Sequence, residues 1–551
     1  MDLHLADAAA DGLAAADGSA AAAVDGLVDR VTVAFEGPGA GSGPLSWGQI
    51  ESWNAVTTLG HWMPIGGALP VRPGTTVDDL AGELRHHLSR HASLRTLLRI
   101  PAGGGFPTQE VHASGSSTLQ VYESGGADPS EVASLVAERF RHAELDFTAE
   151  YPIRMAAVLH HGVPSHVVAL ISHFAADGAG AQVMLRDVAE RSSPPVAGRQ
   201  PLDQAQWQRS PAGRRQNDAA QRHFESILRT MPAARFRKPL APMRPRYWRG
   251  VLDSAALPLA LRALTARTGA DPSAVLLAVF ALAVHATCGV DPVVVRPLVS
   301  NRFRPGFADV VCTAVQAGLC QVPVGAHGDA ATVEAPAGAD STAEAPVADD
   351  DDGSSSAAEA AVDGDGTGDS GSGSGSAAEA AAGVGSSDDA GSGGGAAEAL
   401  VGAYGRAGAA RVPGGAFEEV VAAAGRAARS AYKHAYFDQR DLFRLIDRVG
   451  AERGEHLDIG CFLNDRRDPA ADGSVPGPAE IRAALPRTTF SWTVRRAAPG
   501  FEPMILDVED TPEGLRCTAH TDTAHISPAD TSALLHHLER IAVTASDARS
   551  G

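Results

Sequence analysis

Residues 165–178 read SHVVALISHFAADG, a nearly unbroken apolar run that ends at a histidine and an Asp-Gly pair. A short run rich in Val, Ala, Leu and Ile is typical of a strand that is buried on both faces of a sheet. We therefore predict a strand over 165–172 that gives way to a loop at His173, followed by a short helix over 180–189. This junction is the most compact candidate functional site in the chain.

His173 and Asp177 are the residues of this junction that can take part in chemistry. A histidine at the end of a buried strand has one edge held by the core and the other open to a cleft. Because imidazole titrates near neutral pH, it can accept a proton from an attacking amine or hydroxyl. Asp177 would turn back into the loop, where a buried carboxylate needs a cation or backbone donors. The alternative is structural: a hydrogen-bonded histidine beside an ordinary Asp-Gly turn.

Strand and helix patterns alternate on both sides of this junction. Before it, the periodicity predicts a strand over 31–35 and helices over 76–89 and 132–140. After it, the predicted strands are 247–252, 293–299, 310–324, 457–463, 488–494, 504–508 and 515–521, and the predicted helices are 257–268, 273–286, 417–432 and 528–545. The interleaving predicts an α/β (α+β layered) fold.

Changes in composition predict how the chain is organised. Residues 1–30, rich in Ala, Asp and Gly, predict a disordered or frayed tail. Residues 191–245, rich in Pro, Arg and Gln with one helix over 219–228, predict a connection between two lobes. The N-terminal lobe would span 31–190. The C-terminal lobe would consist of 246–324 and 401–547, with 325–400 between them as an insert.

The insert carries most of the net charge. The chain has 46 Lys and Arg against 66 Asp and Glu, a formal charge of −20. Residues 325–400 contain 16 of these acids and no Lys, Arg or aromatic residue, so the other 50 acids against 46 bases leave only −4 for the rest. This tract has too little apolar surface to offset the entropy of ordering it, so we predict that it is disordered. The near-neutral remainder shows no basic face for nucleic acid or an anionic membrane.

The sequence indicates a cytoplasmic protein without membrane spans or metal. The longest apolar run, 274–284, is far shorter than the ~18 residues that would span a bilayer, and Asp2 and Asp7 stand where a signal peptide would be basic. The five cysteines are scattered and include no CxxC pair, so neither a disulfide framework nor a zinc site is expected. His520 and His525 lack a third ligand nearby, so we predict no metal site there.

Several motifs resemble one known family. HxxxDG at 173–178 is the signature of the chloramphenicol-acetyltransferase-like superfamily, which includes the condensation domains of nonribosomal peptide synthetases. Five further segments are similar to condensation-domain motifs in the same order: PLSWGQ at 44–49 followed by Trp53, RH at 90–91 with LRT at 94–96, DF at 146–147 with PIR at 152–154, LVSNR at 298–302, and 515–538. The ordered set covers about 31–545.

The resemblance implies a fold and a set of residue roles. It implies two chloramphenicol-acetyltransferase-like lobes that form a V with a tunnel between them. His173 matches the catalytic histidine, and Gly178 matches the glycine near the transferred acyl carbon. Asp177 matches the structural aspartate that pairs with an arginine of the other lobe, for which Arg302 is the first choice and Arg296 the second.

The chain departs from the family pattern at three places. Ser172 stands where the family has the first histidine of HHxxxDG, although a hydroxyl can still donate and accept a hydrogen bond. FSW at 490–492 replaces an FDL-like strand, and 313–319 lacks the FVNT-like motif. These differences concern the substrate and the donor more than the fold.

The resemblance implies a stand-alone acyl transferase of the condensation type. The enzyme would form an amide (or ester) bond from an acyl thioester on a carrier protein's phosphopantetheine arm, in peptide natural-product biosynthesis. It would hold no bound cofactor, meet the carrier protein in trans and act on a small-molecule nucleophile, because the two lobes use all the ordered residues. Two alternatives remain: an acyl-CoA-dependent acyltransferase, and a condensation-like module that binds a carrier protein without catalysis.

Overall fold

The computed structural model describes residues 26–190, 196, 198–233, 236, 242–325, 414–468, 475–496 and 502–547. The chain divides into two units, Met1–Gly328 with Val412–Gly551, and Asp329–Arg411, and every described residue belongs to the first. Nearly all of the predicted tail and of the predicted acidic insert lies outside the described residues. Where the tail is described, it is a strand from Leu27 onward, so the first strand begins four residues earlier than predicted.

The N-terminal lobe is a layered arrangement of two sheets and four helices. Its five-stranded sheet has the order β1-β6-β7-β8-β3, and its three-stranded sheet has the order β2-β5-β4. All neighbours pair antiparallel except β6 and β7, which are parallel. The elements are β1 (Leu27–Glu36), β2 (Gly41–Pro44), α1 (Trp47–Leu59), β3 (Pro64–Pro70), α2 (Val77–Arg90), β4 (Thr96–Arg99), β5 (Thr108–Val111), β6 (Ser114–Glu123), α3 (Pro129–His142), β7 (Ile153–His160), β8 (Val163–Ser172) and α4 (Gly178–Glu190).

The predicted strand at 165–172 is confirmed as β8, and its last three residues are buried. Val168 and Leu170 lie in a core with α1 and α3, whereas Ile171 lies in a second core with α2 on the other side of the sheet. Helices cover both faces of this strand, which explains why its sequence shows no polar alternation. The strand runs through the middle of the lobe, and residue 173 follows directly after its last residue.

The helix starts follow local capping rules. Ser46 and Gln49 form a reciprocal capping box at α1, and Thr76 and Asp79 form another at α2. Each pair satisfies amide groups that have no partner inside the helix. Within the predicted connection the structure has two helices, α5 (Pro201–Arg209) and α6 (Pro211–Leu228). The predicted helix over 219–228 is confirmed as the end of α6, but α6 begins eight residues earlier and α5 was not predicted. Both helices carry proline in the first turn, where proline favours a helix start although it reads as a breaker in a sequence.

The C-terminal lobe is built on one eight-stranded sheet. Its strand order is β11-β10-β13-β15-β16-β9-β14, and β12 also pairs with β10. The parallel neighbours are β10 with β13 and β13 with β15. The elements are β9 (Tyr247–Ser254), α7 (Ala256–Thr268), α8 (Pro272–Cys288), β10 (Val293–Val299), β11 (Gln316–Ala317), β12 (Cys320–Val322), α9 (Gly414–His434), α10 (Gln439–Arg453), β13 (Cys461–Asp465), α11 (Pro478–Ala484), β14 (Thr489–Arg496), β15 (Met504–Thr511), β16 (Gly514–Asp522) and α12 (Pro528–Asp547).

The two faces of this sheet differ in polarity. On β16, Leu515, Cys517 and Ala519 belong to the core formed with α7, α8, α9 and α12. Because side chains alternate along a strand, the intervening residues, His520 among them, lie on the opposite face. We call this second surface the polar face of the sheet.

Helix α8 is apolar all round because it lies at the centre of this core. Among the described residues no single helix has the length and hydropathy to cross a bilayer. Helices α7 and α8 satisfy the length and composition test only when taken together, and they are bent by 113° at the break between them.

A segment from the second half of the chain completes the core of the first lobe. Residues 302–315, here called the bridging segment, contribute Phe307, Val310 and Cys312 to the same core as Phe174 of the first lobe. The prediction of one strand over 310–324 is therefore wrong, because only β11 and β12 form there. The apolar residues before β11 are buried against the first lobe. Their sequence therefore resembles that of a buried strand, although they pair with no other strand.

Candidate active site

The turn after β8 is held by Ser172, which is fully buried. Its Oγ donates a hydrogen bond to the carbonyl of Trp62 at 2.8 Å and accepts one from the amide of Phe174 at 3.2 Å. The hydroxyl therefore fixes the backbone on either side of His173. At the position where the resemblance expects a histidine, this chain has a residue that stabilises the turn.

The backbone of His173 is fixed by both lobes. Its amide donates to the carbonyl of Met63 at 2.9 Å. Its carbonyl accepts hydrogen bonds from the hydroxyl of Ser52 on α1, at 3.2 Å, and from the hydroxyl of Thr313 in the bridging segment. These contacts set the direction in which the side chain leaves the turn.

The two ring nitrogens of His173 have different surroundings. Nδ1 is buried and makes no hydrogen bond of regular geometry with the described residues, although the ring lies close to the residue's own carbonyl. Nε2 is not enclosed in this way, and the side chain as a whole is half-buried. Nε2 is therefore the less enclosed of the two nitrogens.

The surroundings of His173 favour the neutral imidazole. Burial lowers the pKa of His173 below its ordinary value of 6.5 because a charged ring loses hydration there. The Asp177 carboxylate and the residue's own carbonyl oppose this shift, and the positive charge of Arg466 adds to it. At neutral pH the ring is consequently a proton acceptor and not a cation.

Asp177 is buried and uses both carboxylate oxygens to hold the loop. Oδ1 accepts from the amide of Gly180 at 2.8 Å and from the guanidinium of Arg302. Oδ2 accepts from the amides of Ala314 and Val315 at 2.9 and 3.0 Å. A carboxylate with four donors has no free lone pair directed at a substrate, so its role is to join the first lobe to the bridging segment.

Arg302, and not Arg296, is the arginine that contacts Asp177. Its two terminal nitrogens also donate to the carbonyls of Phe307, Val310 and Cys312, at 3.0, 2.5 and 2.9 Å. The guanidinium thus closes the bridging segment into a loop around itself.

Arg296 lies elsewhere, on the polar face of the eight-stranded sheet. It donates to the carbonyl of Ala317 at 3.3 Å, and its guanidinium lies 4.6 Å from the ring centroid of Phe462. Of the two arginines proposed from the sequence, Arg302 therefore lies beside Asp177, and Arg296 lies in the C-terminal lobe, beside Ala317 and Phe462.

Gly178 is exposed at the start of α4, and a Cβ atom there would meet no atom within 4 Å. Two residues later the space is filled, because a Cβ atom on Gly180 would lie 3.2 Å from the carbonyl oxygen of Cys312 and 3.4 Å from Arg302. The site is thus open on the Gly178 side and closed on the side of the bridging segment.

Ser52 and Thr313 contact the backbone of His173 but were not predicted from the sequence. Each is a single residue without a motif, and each comes from a distant part of the chain. The hydroxyl contacts span 121 and 140 residues. The one available signal was the PLSWGQ segment, which places α1 near the site but does not identify Ser52.

A cavity of about 290 Å³ lies away from His173. It is lined by residues of α1, α5, α6 and α10, among them Trp47, Gln208, Arg214 and Asp438. Acidic and basic residues both line its wall, so the cavity has no dominant charge. It is not the site described above, because His173 and Asp177 are not among the residues that line it.

Solved structures of condensation-type proteins have the same fold as this chain. The structure is similar to the SgcC5 protein from Streptomyces globisporus, with a TM-score of 0.56 and 15% identity over 92% of this chain and 98% of that one. It is similar to the condensation domain of the monacolin K polyketide synthase MokA, with a TM-score of 0.58 and 14% identity over 92% and 98%.

A third similar structure is the X-domain of teicoplanin biosynthesis in its complex with OxyB, with a TM-score of 0.56 and 15% identity over 95% of this chain and 97% of that one. No protein-family description and no curated protein sequence matches the chain. At this level of identity the similarities concern the fold alone. The fold class predicted from the sequence is confirmed, and the protein has the two-lobed fold of condensation domains and X-domains.

Proposed function

We propose that this protein is a condensation-type acyl transferase in which His173 accepts the proton of the nucleophile. The observation that carries this proposal is the half-buried imidazole at the junction of β8 and α4, whose backbone is held by hydrogen bonds from both lobes. Burial lowers the pKa of this ring, which favours the neutral form that can accept a proton. A proton acceptor poised in this way is worth about 10² to 10⁴ in rate.

The proposed reaction needs no cofactor bound to the protein. The nucleophile, an amine or hydroxyl, attacks the carbonyl carbon of an acyl thioester while its proton passes to Nε2 of His173. The new C–N or C–O bond forms, the C–S bond breaks, and the leaving thiolate takes the proton back from the imidazolium. Gly178 is the proposed neighbour of the acyl group, because the space beside it is open.

The donor that we propose is an acyl group on the phosphopantetheine arm of a carrier protein, which the enzyme meets in trans. This choice follows the condensation-domain fold, which the chain shares with proteins of peptide and polyketide assembly. Acyl-CoA carries the same arm and is the second candidate donor. Product analysis after incubation with each donor, an amine or an alcohol, and the purified protein distinguishes the two.

The test of this proposal replaces His173 by Ala and by Gln. We expect either variant to lose about 100-fold or more of kcat/KM with the active donor while its Tm stays near that of the wild-type protein. His166→Ala is the matched control, because His166 lies on β8, the strand that ends one residue before His173, and is also half-buried. Retained turnover in the His173 variants, or equal loss in His166→Ala, would remove His173 from the mechanism.

A non-catalytic module that binds a carrier protein is the alternative favoured by one observation. Ser172 replaces the first histidine of the expected motif and is used entirely for the turn. If the wild-type protein binds an acyl carrier protein but turns over no donor, and His173→Ala leaves that binding unchanged, this alternative replaces the first proposal.

A further inference from the structure

Asn301 is a buried residue next to the candidate active site that the acyl-transfer proposal does not use. It lies two residues after β10 and directly before the bridging segment, and none of its surface is exposed. Its Nδ2 donates to the carbonyls of Ala435 at 2.8 Å, Ala314 at 2.9 Å and Val299 at 3.4 Å. Its Oδ1 accepts from Nε of Arg304 at 2.9 Å. The side-chain amide is therefore paired at both ends, and it joins separate parts of the chain.

The backbone of Asn301 is in the left-handed region, with a φ of +58°. Asparagine enters this region more readily than most other residues, but the conformation is uncommon for any residue except glycine. Among the described residues other than glycine, only Met63, His161 and Asn301 have a positive φ. The carbonyl of Met63 accepts from the amide of His173 at 2.9 Å, and Asn301 directly precedes Arg302. Two of the three unusual backbones therefore adjoin the candidate active site, where such conformations are concentrated in proteins.

The bridging segment is attached at both ends to residues 435–437, which directly follow α9. At its start, Asn301 donates to the carbonyl of Ala435. At its end, the buried side chain of Gln316 donates to the carbonyl of Phe437 at 3.0 Å and accepts from the amide of Phe437 at 3.2 Å. Because both ends are bonded to the same short stretch of chain, the middle of the segment is held in one place.

Arg304 strengthens the attachment at the start of the segment. Its guanidinium donates to the carbonyl of Lys433 in the last turn of α9 at 3.0 Å and lies 5.0 Å from the ring centroid of Tyr436. A cation is favourable at this end of a helix because the last carbonyls carry partial negative charge. Since Nε of the same guanidinium donates to Asn301, the asparagine and the arginine bind the end of α9 together.

The residues that Asn301 holds are those that support the active-site turn. Its Nδ2 binds the carbonyl of Ala314, and the amide of Ala314 donates to Asp177 at 2.9 Å. One residue earlier, the hydroxyl of Thr313 donates to the carbonyl of His173. Every step from Asn301 to His173 is therefore a direct hydrogen bond or a single peptide unit of the bridging segment.

We propose that Asn301 is a positioning residue, which holds the bridging segment in the place where it supports the backbone of His173 and the carboxylate of Asp177. This inference rests on the proposed acyl transfer and deepens it. A shift of about 1 Å at a reacting group can cost about 10²-fold in rate, so the rate of acyl transfer depends on a side chain that acts only through its neighbours.

The test removes the side-chain amide without changing the backbone conformation. Asn301→Gly does this, because glycine adopts a φ of +58° without strain. We expect kcat of this variant to fall about tenfold or more, while KM changes by less than about threefold because the groups that bind substrate are kept. Asn301→Asp keeps the size of the side chain but presents an oxygen to three carbonyl oxygens, so its kcat should fall further.

Ser254→Ala is the matched control for a loss of stability. Ser254 ends β9 of the same sheet, is buried, and makes hydrogen bonds with Glu539 at 2.5 Å and with the amide of Leu257 at 2.9 Å. We expect this variant to have a lower Tm but the kcat of the wild-type protein. Equal losses of kcat in Ser254→Ala and Asn301→Gly, at a temperature where both are folded, would overturn the inference. An unchanged kcat in folded Asn301→Gly would also overturn it.

Amide hydrogen exchange separates this inference from the proposed function, because it needs no acyl donor. In Asn301→Gly we expect the amides of Ala314 and Val315 to exchange about tenfold or more faster than in the wild-type protein, while exchange in α8 stays unchanged. Unchanged exchange at these two amides, or equal acceleration in α8, would overturn the inference whatever the activity. Local acceleration in a protein whose wild-type form turns over no donor would support the positioning role and count against acyl transfer.

Discussion

At the scale of single residues, the site depends on hydroxyl groups that no motif contains. Ser52 and Thr313 approach the carbonyl of His173 from two sides, one from α1 and the other from the bridging segment. Ser172 holds the turn through its hydrogen bond to the carbonyl of Trp62. The backbone from which the imidazole leaves is therefore held by three small side chains.

The pH dependence of acyl transfer is a prediction at this scale. Because burial depresses the pKa of His173 below 6.5, the basic form prevails above that value and is lost only as the pH falls through the lowered pKa. With an alcohol as the nucleophile, which does not titrate in this range, we expect kcat/KM to be flat from pH 7 to 8 and to decline only below about 6.5. Circular dichroism at each pH controls for unfolding. An inflection above pH 7 in the folded protein would contradict this account.

The sequence identifies the residues of the site that belong to a pattern and misses the others. His173, Asp177 and Arg302 were found because the order of motifs resembles a known family, and the structure brings Asp177 and Arg302 together. Ser52 and Thr313 could not be found, since a single hydroxyl has no periodicity. Their contribution is created only when two distant segments pack together.

At the scale of elements, the fit between α1 and the bridging segment positions the site. A Cβ atom on Gly48 would lie 1.9 Å from the carbonyl oxygen of Thr313 and 2.8 Å from its carbonyl carbon. Only glycine permits α1 to approach the backbone this closely. Because the amides of Ala314 and Val315 donate to Asp177, a displacement at Thr313 would shift the loop that carries Asp177.

Gly48→Ala tests this contact. We expect it to destabilise the protein by about 1 to 3 kcal/mol and to lower acyl transfer as well, because the backbone of Thr313 must move. Gly82→Ala in α2 is the matched control, since nothing lies within 4 Å of its Cβ position. That variant should gain about 0.5 to 1 kcal/mol from helix propensity alone. Chemical denaturation measures both, and a neutral Gly48→Ala would refute the contact.

Most elements could be predicted from local patterns, whereas the bridging segment could not. Strand β8 and helices α2, α3 and α8 follow from periodicity and capping, and the structure confirms them. The segment over 310–324 reads as a strand because Val310, Val311 and Leu319 are apolar. Val310 and Val311 are instead buried against the first lobe, and sequence periodicity cannot distinguish that burial from pairing in a sheet.

At the scale of the whole molecule, the unit that contains the site is interrupted by a second unit, Asp329–Arg411. The described residues on either side join in one sheet, where β10 pairs with β13. The sheet therefore brings together parts of the chain that precede and follow the interruption.

Replacement of residues 329–411 by a Gly/Ser linker is the prediction at this scale. Because these residues form a unit of their own, we expect the shortened protein to keep its Tm and its kcat/KM. Differential scanning calorimetry and the acyl-transfer assay are the measurements, with a scrambled sequence of equal length and composition as the control. A large loss of Tm in the shortened protein, but not in the scrambled one, would show that the length of the segment supports the fold.

The bridging segment also has a consequence for exchanging parts between related proteins. Asp177 and Phe174 come from one half of the chain, whereas the guanidinium and the apolar residues that cover them come from the other. In a chimera joined within residues 191–245, Asp177 and the apolar residues around Phe174 would be covered by a bridging segment from the other parent protein. Such a hybrid would need residues 302–315 to be transplanted together with the first lobe, so the interchangeable module is discontinuous in sequence.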